Sequence, residues 1–186
     1  MPEKDRLKFK ICMIGEGNVG KTSLIRKFVL DIFEDSYVST IGMKTTKKEF
    51  CICDPRNGEP VDICFVIWDI MGQPGFRQLL KGTYFFGASG FIVICDVTRK
   101  DTLYALPEWL KICKETAGDV PVVFLGNKCD LVEEQEVYLE DIKAFASNYG
   151  CESLFLSSAK TGENVGLAFR TPSESILTNM AERDKR

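Results

Sequence analysis

Apolar and polar positions along the chain change period several times, between the two-residue period of strands and the 3.6-residue period of helices. Six short runs have the length and composition of β-strands: Leu7–Gly15, Lys44–Asp54, Val61–Asp69, Gly90–Val97, Val120–Gly126 and Ser153–Ser157. Helical spacing fills most of the intervals between them, at Lys21–Val29, Phe76–Phe86, Leu103–Glu115 and Leu139–Tyr149. The last three strand-like runs are apolar almost throughout, which is typical of parallel strands covered on both faces.

This alternation predicts an α/β fold: a doubly wound, mostly parallel six-stranded sheet with helices on both faces. Asn57-Gly58, set between two prolines, predicts the loop of one antiparallel edge hairpin between the second and third strands. The 186 residues contain no repeat or linker. We therefore expect a single domain, with its core at about 7–169 and a C-terminal helical segment at about 164–183.

The C-terminal segment carries a proline inside its helical pattern. Pro172 would break the hydrogen-bond ladder of a helix that began at Asn164. We therefore predict a kink or a restart at Thr171–Pro172, with Thr171 as the N-cap and Glu174 completing a capping box.

Composition narrows the classes of function. The net charge is −3 and no face is obviously basic, so nucleic-acid binding is not expected. No apolar run is long enough to span a bilayer, and the start of the chain lacks a signal-peptide core. We expect a soluble, cytoplasmic protein.

Eight cysteines raise the question of a metal site. Histidine is absent and there is no CxxC pair, so a zinc site would need four widely scattered thiolates. Six of the cysteines lie in or beside strand-like runs: Cys12, Cys51, Cys53, Cys64, Cys95 and Cys129. We interpret them as small buried residues that are kept reduced.

The segment from Gly15 to Thr22, GEGNVGKT, fits the phosphate-loop pattern GxxxxGK[ST] between a strand and a helix. Its glycines let successive backbone N–H groups turn towards phosphate oxygens. Lys21 would place a charge on the terminal phosphates, and the Thr22 hydroxyl would bind Mg²⁺. The loop indicates a nucleoside triphosphate, with ATP and GTP both open. The predicted contact residues are Gly17, Asn18, Val19, Gly20, Lys21, Thr22 and Ser23.

Two later segments at strand ends indicate which nucleotide base the site binds. The NKCD segment from Asn127 to Asp130 follows a strand at its carboxyl end, where ligands bind in open α/β sheets. An Asp130 carboxylate would accept hydrogen bonds from the N1–H and N2–H₂ groups of guanine, and adenine offers no such pair of donors. The next strand ends in Ser158-Ala159-Lys160, which brings a backbone N–H near the base O6. Guanine is therefore favoured, and the predicted base site is Asn127, Lys128, Asp130, Ser158, Ala159 and Lys160.

In the order and spacing of these motifs, the chain from about Leu7 to Phe169 resembles a small GTPase of the Ras superfamily, most like the Rab branch. The resemblance implies a P-loop G domain that switches between GTP and GDP states with Mg²⁺ as cofactor. It also implies that Phe33 stacks on guanine, and that Thr40 binds Mg²⁺ and contacts the γ-phosphate only in the GTP state. The implied partners are an exchange factor, an activating protein and effectors on the switch loops, with the protein itself a monomer.

The segment WDIMGQ, from Trp68 to Gln73, leads from a strand into the second switch loop of such a protein. Asp69 would hold Mg²⁺ through a water, and Gly72 would offer its N–H to the γ-phosphate because no Cβ blocks the approach. Gln73 would then be the catalytic residue that orients the attacking water. Loss of the γ-phosphate would release Thr40 and Gly72, and both loops would loosen.

Three features depart from the family pattern. Ile70-Met71 replaces the usual pair of small residues, and Pro74 pushes Gln73 towards extended conformations, so we expect hydrolysis that is retained but slow. Of the Rab aromatic-triad positions 45, 68 and 83, only Trp68 is aromatic, and it fits a partner patch and a core position equally well. The last residues contain no cysteine, so no lipid anchor is expected in the sequence as given, and membrane association would need a partner or a further segment.

These observations together predict a GTP-hydrolysing molecular switch. The alternative from another class is a guanine-nucleotide-binding interaction module with negligible hydrolysis, which Ile70-Met71 and Pro74 would favour. An ATP-dependent phosphotransferase would share the phosphate loop but is opposed by Asn127 and Asp130. Because no arginine is obvious in the phosphate loop, fast turnover should need an activating protein that supplies one.

Overall fold

The computed structural model of the chain describes residues 6–34, 40, 42–72, 84–151 and 153–183. Six strands form one sheet in the order β2-β3-β1-β4-β5-β6, in which only the β2–β3 pair is antiparallel. This arrangement confirms the predicted mostly parallel sheet with one antiparallel edge hairpin. The strands are β1 Leu7–Ile14, β2 Met43–Cys53, β3 Pro60–Ile70, β4 Gly90–Asp96, β5 Val122–Asn127 and β6 Leu154–Ser157.

The helices of the described residues pack on both faces of the sheet. One apolar layer packs the sheet against α1 and α5 and includes Leu24, Phe65 and Phe169. The other packs it against α3 and α4 and includes Trp109 and Ile142. In the part of the chain that the structure describes, no helix has the length and apolar character needed to cross a membrane. The helices are α1 Lys21–Leu30, α2 Lys100–Tyr104, α3 Leu106–Ala117, α4 Leu139–Ser147 and α5 Val165–Arg183.

The edge hairpin follows from the sequence between its strands. β2 and β3 pair in one register from Met43 opposite Ile70 to Cys53 opposite Pro60. At the turn, the Gly58 N–H donates to the Asp54 carbonyl at 2.8 Å, and Gly58 adopts a φ of 78°, in the region that favours glycine. The Asp54 carboxylate is buried and is bound by the Arg56 guanidinium, which holds the pKa of Asp54 below its usual value.

Two predicted helices differ from the structure. The Leu103–Glu115 prediction corresponds to two helices, α2 and α3, which are separated at Ala105. Pro107 lies in the first turn of α3. Backbone N–H groups in a first turn have no acceptor within the helix, so proline, which lacks this group, costs the helix no hydrogen bond there. Residues 84–86 of the predicted Phe76–Phe86 helix form a turn, and the positions from 76 to 83 lie outside the described residues.

The predicted restart at Thr171 is wrong, because α5 runs without interruption from Val165 to Arg183 with Pro172 inside it. Pro172 removes one hydrogen bond from the ladder. The buried side chains of Phe169 and Leu177 lie before and after it and pack into the same apolar layer, which favours one continuous helix. An Arg170–Glu174 ion pair of 2.8 Å also spans the proline.

The prediction that the cysteines are buried holds for some positions and is wrong for others. Cys51 and Cys53 are exposed, because they occupy the outward face of β2 while the intervening Ile52 points into the core. Cys129 is only half-buried. Burial raises the pKa of the Cys12 and Cys95 thiols to about 12, so both are protonated at neutral pH. The buried cysteines are Cys12, Cys64, Cys95 and Cys113.

Candidate functional site

A cavity of about 430 Å³ opens where the parallel strands end at their carboxyl termini. Most of the predicted site residues line it: Gly17, Asn18, Gly20, Lys21, Thr22, Ser23, Phe33, Thr40, Gly72, Asn127, Lys128, Asp130, Ala159 and Lys160. Three predicted residues, Val19, Asp69 and Ser158, are buried behind the wall and do not line it. Six further residues line the cavity, of which only Ile70 and Met71 were singled out from the sequence: Arg26, Ile32, Glu34, Ile70, Met71 and Leu131.

The loop between β1 and α1 has the backbone that its glycines allow. Gly15 and Gly20 have φ values of 140° and 96°. A Cβ on Gly15 would lie 2.2 Å from the Ile94 carbonyl oxygen, and one on Gly20 would lie 2.2 Å from Asn127 Nδ2. Any larger residue would therefore push the loop away from the sheet at both positions.

Lys21 provides a buried cation at the floor of the cavity. Its Nζ donates to the carbonyl oxygens of Gly15 and Glu16, at 2.8 and 2.6 Å. Burial lowers the pKa of Lys21 to about 8, although the Asp69 and Glu16 carboxylates counteract part of that effect. An anion bound in the cavity would favour the charged ammonium in the same way.

Three oxygen-bearing side chains meet beside Lys21. The Thr22 hydroxyl donates to Asp69 Oδ2 at 2.6 Å, and Thr40 Oγ1 lies 2.9 Å from Thr22 Oγ1. Asp69 is buried, and its Oδ1 has no hydrogen-bond partner among the described residues. Burial raises the pKa of Asp69, against the opposing effect of the Thr22 hydrogen bond and the Lys21 charge. A buried carboxylate oxygen with two hydroxyls beside it is a donor set that suits Mg²⁺.

At the other end of the cavity, Asn127 connects two loops. Its Nδ2 donates to the Val19 carbonyl at 2.8 Å, and its Oδ1 accepts from the Ala159 N–H at 3.3 Å. The Asn127 side chain thus holds the phosphate loop to the loop after β6. Asp130 is oriented by the Ser158 hydroxyl, which donates to its Oδ1 at 2.6 Å.

Met71 and Gly72, which follow β3, lie close to the phosphate loop. A Cβ on Gly72 would lie 2.4 Å from the Glu16 carbonyl group and 2.5 Å from Lys21 Nζ, so only glycine fits. Met71 is buried in the cavity wall, and its N–H donates to the Gly42 carbonyl at 3.1 Å. Gln73, the predicted catalytic residue, lies outside the described residues, as do Ile41 and Thr83.

Comparison with known proteins shows the family to which the chain belongs. The family model described as the Ras family matches residues 10–178. The chain belongs to the Ras family. The Ras-family protein is 37% identical to the Ras-related protein RABD2c of Arabidopsis thaliana over 183 residues, which cover 98% of this chain and 86% of the relative.

Two further relatives carry similar names. The Ras-related protein Rab-19 of Homo sapiens is 34% identical over 170 residues, which cover 91% of this chain and 75% of the relative. The GTP-binding protein YPTM2 of Zea mays is 36% identical over 183 residues, which cover 98% and 86%. The family match and these Rab-related names confirm the predicted resemblance to a small GTPase close to the Rab branch.

Trp68 of this Ras-family protein is neither fully buried nor freely exposed. Lys10 Nζ lies 3.7 Å from the centre of the Trp68 ring, and the Tyr84 ring meets it edge-on with 6.4 Å between centroids. Trp68 also packs against the apolar layer on the α3 face. The residue therefore combines a core position with a cation–π contact at the surface.

Two contacts that brace the phosphate loop could not be predicted from the sequence. The Arg99 guanidinium donates to the Gly17 carbonyl at 2.8 Å, and Trp109 Nε1 donates to Glu16 Oε1 at 2.9 Å. Arg99 lies outside the loop, which itself contains no arginine, and reaches it from the segment after β4. Because Arg99 binds a loop carbonyl and Asp96, at 3.3 Å, its guanidinium is already engaged by the protein.

Asp96 joins the two ends of the site. Its Oδ2 lies 2.5 Å from Lys128 Nζ and also accepts from Arg99. Burial works against the charge of Asp96, but hydrogen bonds from Lys128 and Thr98 outweigh it and hold the pKa of Asp96 below its usual value. Lys128, which is predicted to lie at the base, and Arg99, which binds the Gly17 carbonyl of the phosphate loop, are thus connected through one carboxylate.

Proposed function

We propose that this Ras-family switch binds guanine nucleotide with Mg²⁺ and hydrolyses GTP to GDP slowly without a partner. The observation that supports this most is the meeting, in one cavity, of a buried ammonium, a Mg²⁺-type donor set and an oriented carboxylate. Together these groups match the terminal phosphates, the metal and the guanine edge.

Each group has a defined task in this proposal. Lys21 holds the terminal phosphates, and backbone N–H groups of the Gly15–Gly20 loop surround them. Thr22 and Thr40 would hold Mg²⁺ directly and Asp69 through a water; when bound, the ion would neutralise charge on the phosphates. Asp130 accepts the N1–H and N2–H₂ groups of guanine, and Phe33 covers the purine ring.

In this proposal the base O6 accepts a hydrogen bond from a backbone N–H of the Ser158–Lys160 segment. The N–H groups of Ala159 and Lys160 donate within the protein, to Asn127 Oδ1 at 3.3 Å and to Ser158 Oγ at 3.2 Å. Both bonds are long for an N–H···O bond, so either N–H has room to share its hydrogen with O6. The O6 contact is the part of the base site that depends on such sharing.

Hydrolysis needs a water aligned with the γ-phosphorus. We propose that Gln73 orients it; the water oxygen bonds to the γ-phosphorus while the bond to the β–γ bridging oxygen breaks, giving GDP and inorganic phosphate. Arg99 is held by Gly17 and Asp96, so it does not supply the positive charge for this step. An activating protein would supply an arginine, an exchange factor would release GDP, and effectors would bind the switch loops of the monomer.

Single-turnover hydrolysis of GTP with Mg²⁺ tests this proposal, comparing the wild type with Gln73→Leu. We expect a slow wild-type rate and a rate in the variant that is lower by about 10-fold or more, because the leucine cannot orient water. GDP affinity should be unchanged, which separates catalysis from binding. Equal rates in the two proteins would contradict the role of Gln73.

A second candidate function is a guanine-nucleotide-binding module with negligible hydrolysis. The buried Met71 side chain in the cavity wall favours it, because this bulk stands where the family pattern has a small residue. The two candidates share the binding site and differ only in the chemical step.

Met71→Ala tests whether this side chain slows the reaction. We expect GTP hydrolysis to rise severalfold, because removal of the thioether leaves room for the switch segments to approach the γ-phosphate. The same single-turnover assay measures it, with Met180→Ala on α5 as the control. An unchanged rate with intact nucleotide binding would show that Met71 does not crowd the reacting groups.

A further inference from the structure

One ion pair in the cavity wall has no part in the proposed function. Arg26 Nη1 donates to Glu34 Oε2 at 2.7 Å, and both residues line the cavity. Arg26 lies on α1, three residues after Ser23 and on the same face of the helix. Glu34 directly follows Phe33, the residue assigned to the purine ring. The pair therefore ties the backbone beside Phe33 to the helix that begins at the phosphate loop.

The chain returns to the same helix a second time at Thr40. Thr40 Oγ1 lies 2.9 Å from Thr22 Oγ1, and Thr22 and Arg26 are one helical turn apart. These two attachments differ in chemistry. The Thr22–Thr40 contact belongs to the Mg²⁺ donor set and should change with the γ-phosphate, whereas Arg26–Glu34 contains no group assigned to phosphate or metal.

We propose that Arg26 and Glu34 are positioning residues that keep Phe33 over the purine in both nucleotide states and thereby slow the release of GDP. The inference rests on the proposed function, because it needs guanine nucleotide in this cavity. When hydrolysis frees Thr40, the Arg26–Glu34 pair keeps the segment Ile32–Glu34 attached to α1. GDP is then retained until an exchange factor breaks the pair or moves Phe33.

The exposure of the pair sets the size of the effect. The side chains of Arg26 and Glu34 are 35% and 54% exposed, so solvent screens their attraction. Loss of such a pair corresponds to about 1.4- to 5-fold in an equilibrium or rate constant. Placing two like charges opposite each other adds a penalty of similar size. A single charge reversal should therefore change GDP release by about 3- to 10-fold.

Charge reversal on the full chain tests the inference. The protein is loaded with fluorescently labelled GDP and Mg²⁺, and release is followed after addition of excess unlabelled GDP. Glu34→Arg and Arg26→Glu are each expected to speed release by about 3- to 10-fold. The double reversal restores opposite charges and is expected to return the rate to within about 2-fold of the wild type.

Two controls separate this effect from a loss of folding. Glu174→Arg reverses one charge of the Arg170–Glu174 pair on α5 and should leave GDP release unchanged. Glu34→Gln keeps the size of the side chain and should speed release by about 2- to 4-fold. High salt should accelerate the wild type more than Glu34→Gln, because only the wild type has a pair to screen.

Each result decides between distinct explanations. Recovery in the double reversal supports the inference, because a purely structural defect in either single variant would not be repaired. Fast release in Arg26→Glu without recovery in the double reversal would overturn it, because the effect would then come from a structural defect or from contact of Arg26 with the nucleotide. If variants that bind GDP tightly released it at the wild-type rate, the inference alone would be overturned. A wild type that binds no GDP would overturn the proposed function as well.

Discussion

Lys21→Ala is expected to leave the purified chain without bound nucleotide. The Lys21 ammonium is buried at the floor of the cavity, where its attraction to phosphate is screened little by solvent. Two charge-assisted hydrogen bonds to phosphate oxygens are worth about 3–6 kcal/mol together, which corresponds to a loss of about 10²- to 10⁴-fold in affinity. Nucleotide content after purification and GDP affinity measured by titration both check this prediction.

A neighbouring lysine provides the matched control. Lys27 lies on the same helix, but its ammonium pairs with Asp31 at 2.7 Å and it does not line the cavity. Lys27→Ala should therefore keep its nucleotide. If Lys21→Ala retained GDP at the wild-type level, the assignment of this loop to the phosphates would be wrong.

Asp130→Asn is expected to change the base preference of the site from guanine to xanthine. The Ser158 hydroxyl donates to Asp130 Oδ1 at 2.6 Å, and an amide oxygen at the same place can accept that bond. The amide nitrogen then takes the place of Oδ2, where it faces the N2–H₂ donors of guanine. We expect GDP affinity to fall by at least about 100-fold, because buried donors are left without partners.

Xanthine has an oxygen at position 2, which accepts from the new amide. Xanthosine diphosphate should therefore bind Asp130→Asn more tightly than it binds the wild type. Competition titrations with GDP and xanthosine diphosphate measure both changes, and Asp119→Asn, a highly exposed position, serves as the control. Undiminished GDP affinity would remove Asp130 from the base site.

The predictable parts of the site are those formed by residues that are adjacent in the sequence. The phosphate loop and the Asn127–Asp130 segment each lie within a few positions of a strand end, so local sequence was sufficient to predict that they would line one cavity. The contacts that brace them join residues far apart in the chain, with sequence separations of 82 for Gly17 and Arg99 and 93 for Glu16 and Trp109. Such pairs depend on how the helices pack on the sheet, which one sequence does not reveal.

The errors in the fold have a similar origin. A local rule against proline inside a helix predicted the restart at Thr171, but burial of Phe169 and Leu177 on either side outweighed one lost hydrogen bond. Cys51 and Cys53 were predicted to be buried from their apolar neighbours. The alternation of β2 places the intervening Ile52 in the core and both thiols outside.

The hairpin of β2 and β3 also sets the distance between the chain at Gly42 and the chain at Met71. Its ladder continues one step past Met43 and Ile70, because the Met71 N–H donates to the Gly42 carbonyl. Gly42 and Met71 therefore leave the sheet side by side, about 4.8 Å apart, the spacing of neighbouring strands. Main-chain hydrogen bonds within the protein therefore set the separation between the two segments that carry the proposed γ-phosphate contacts.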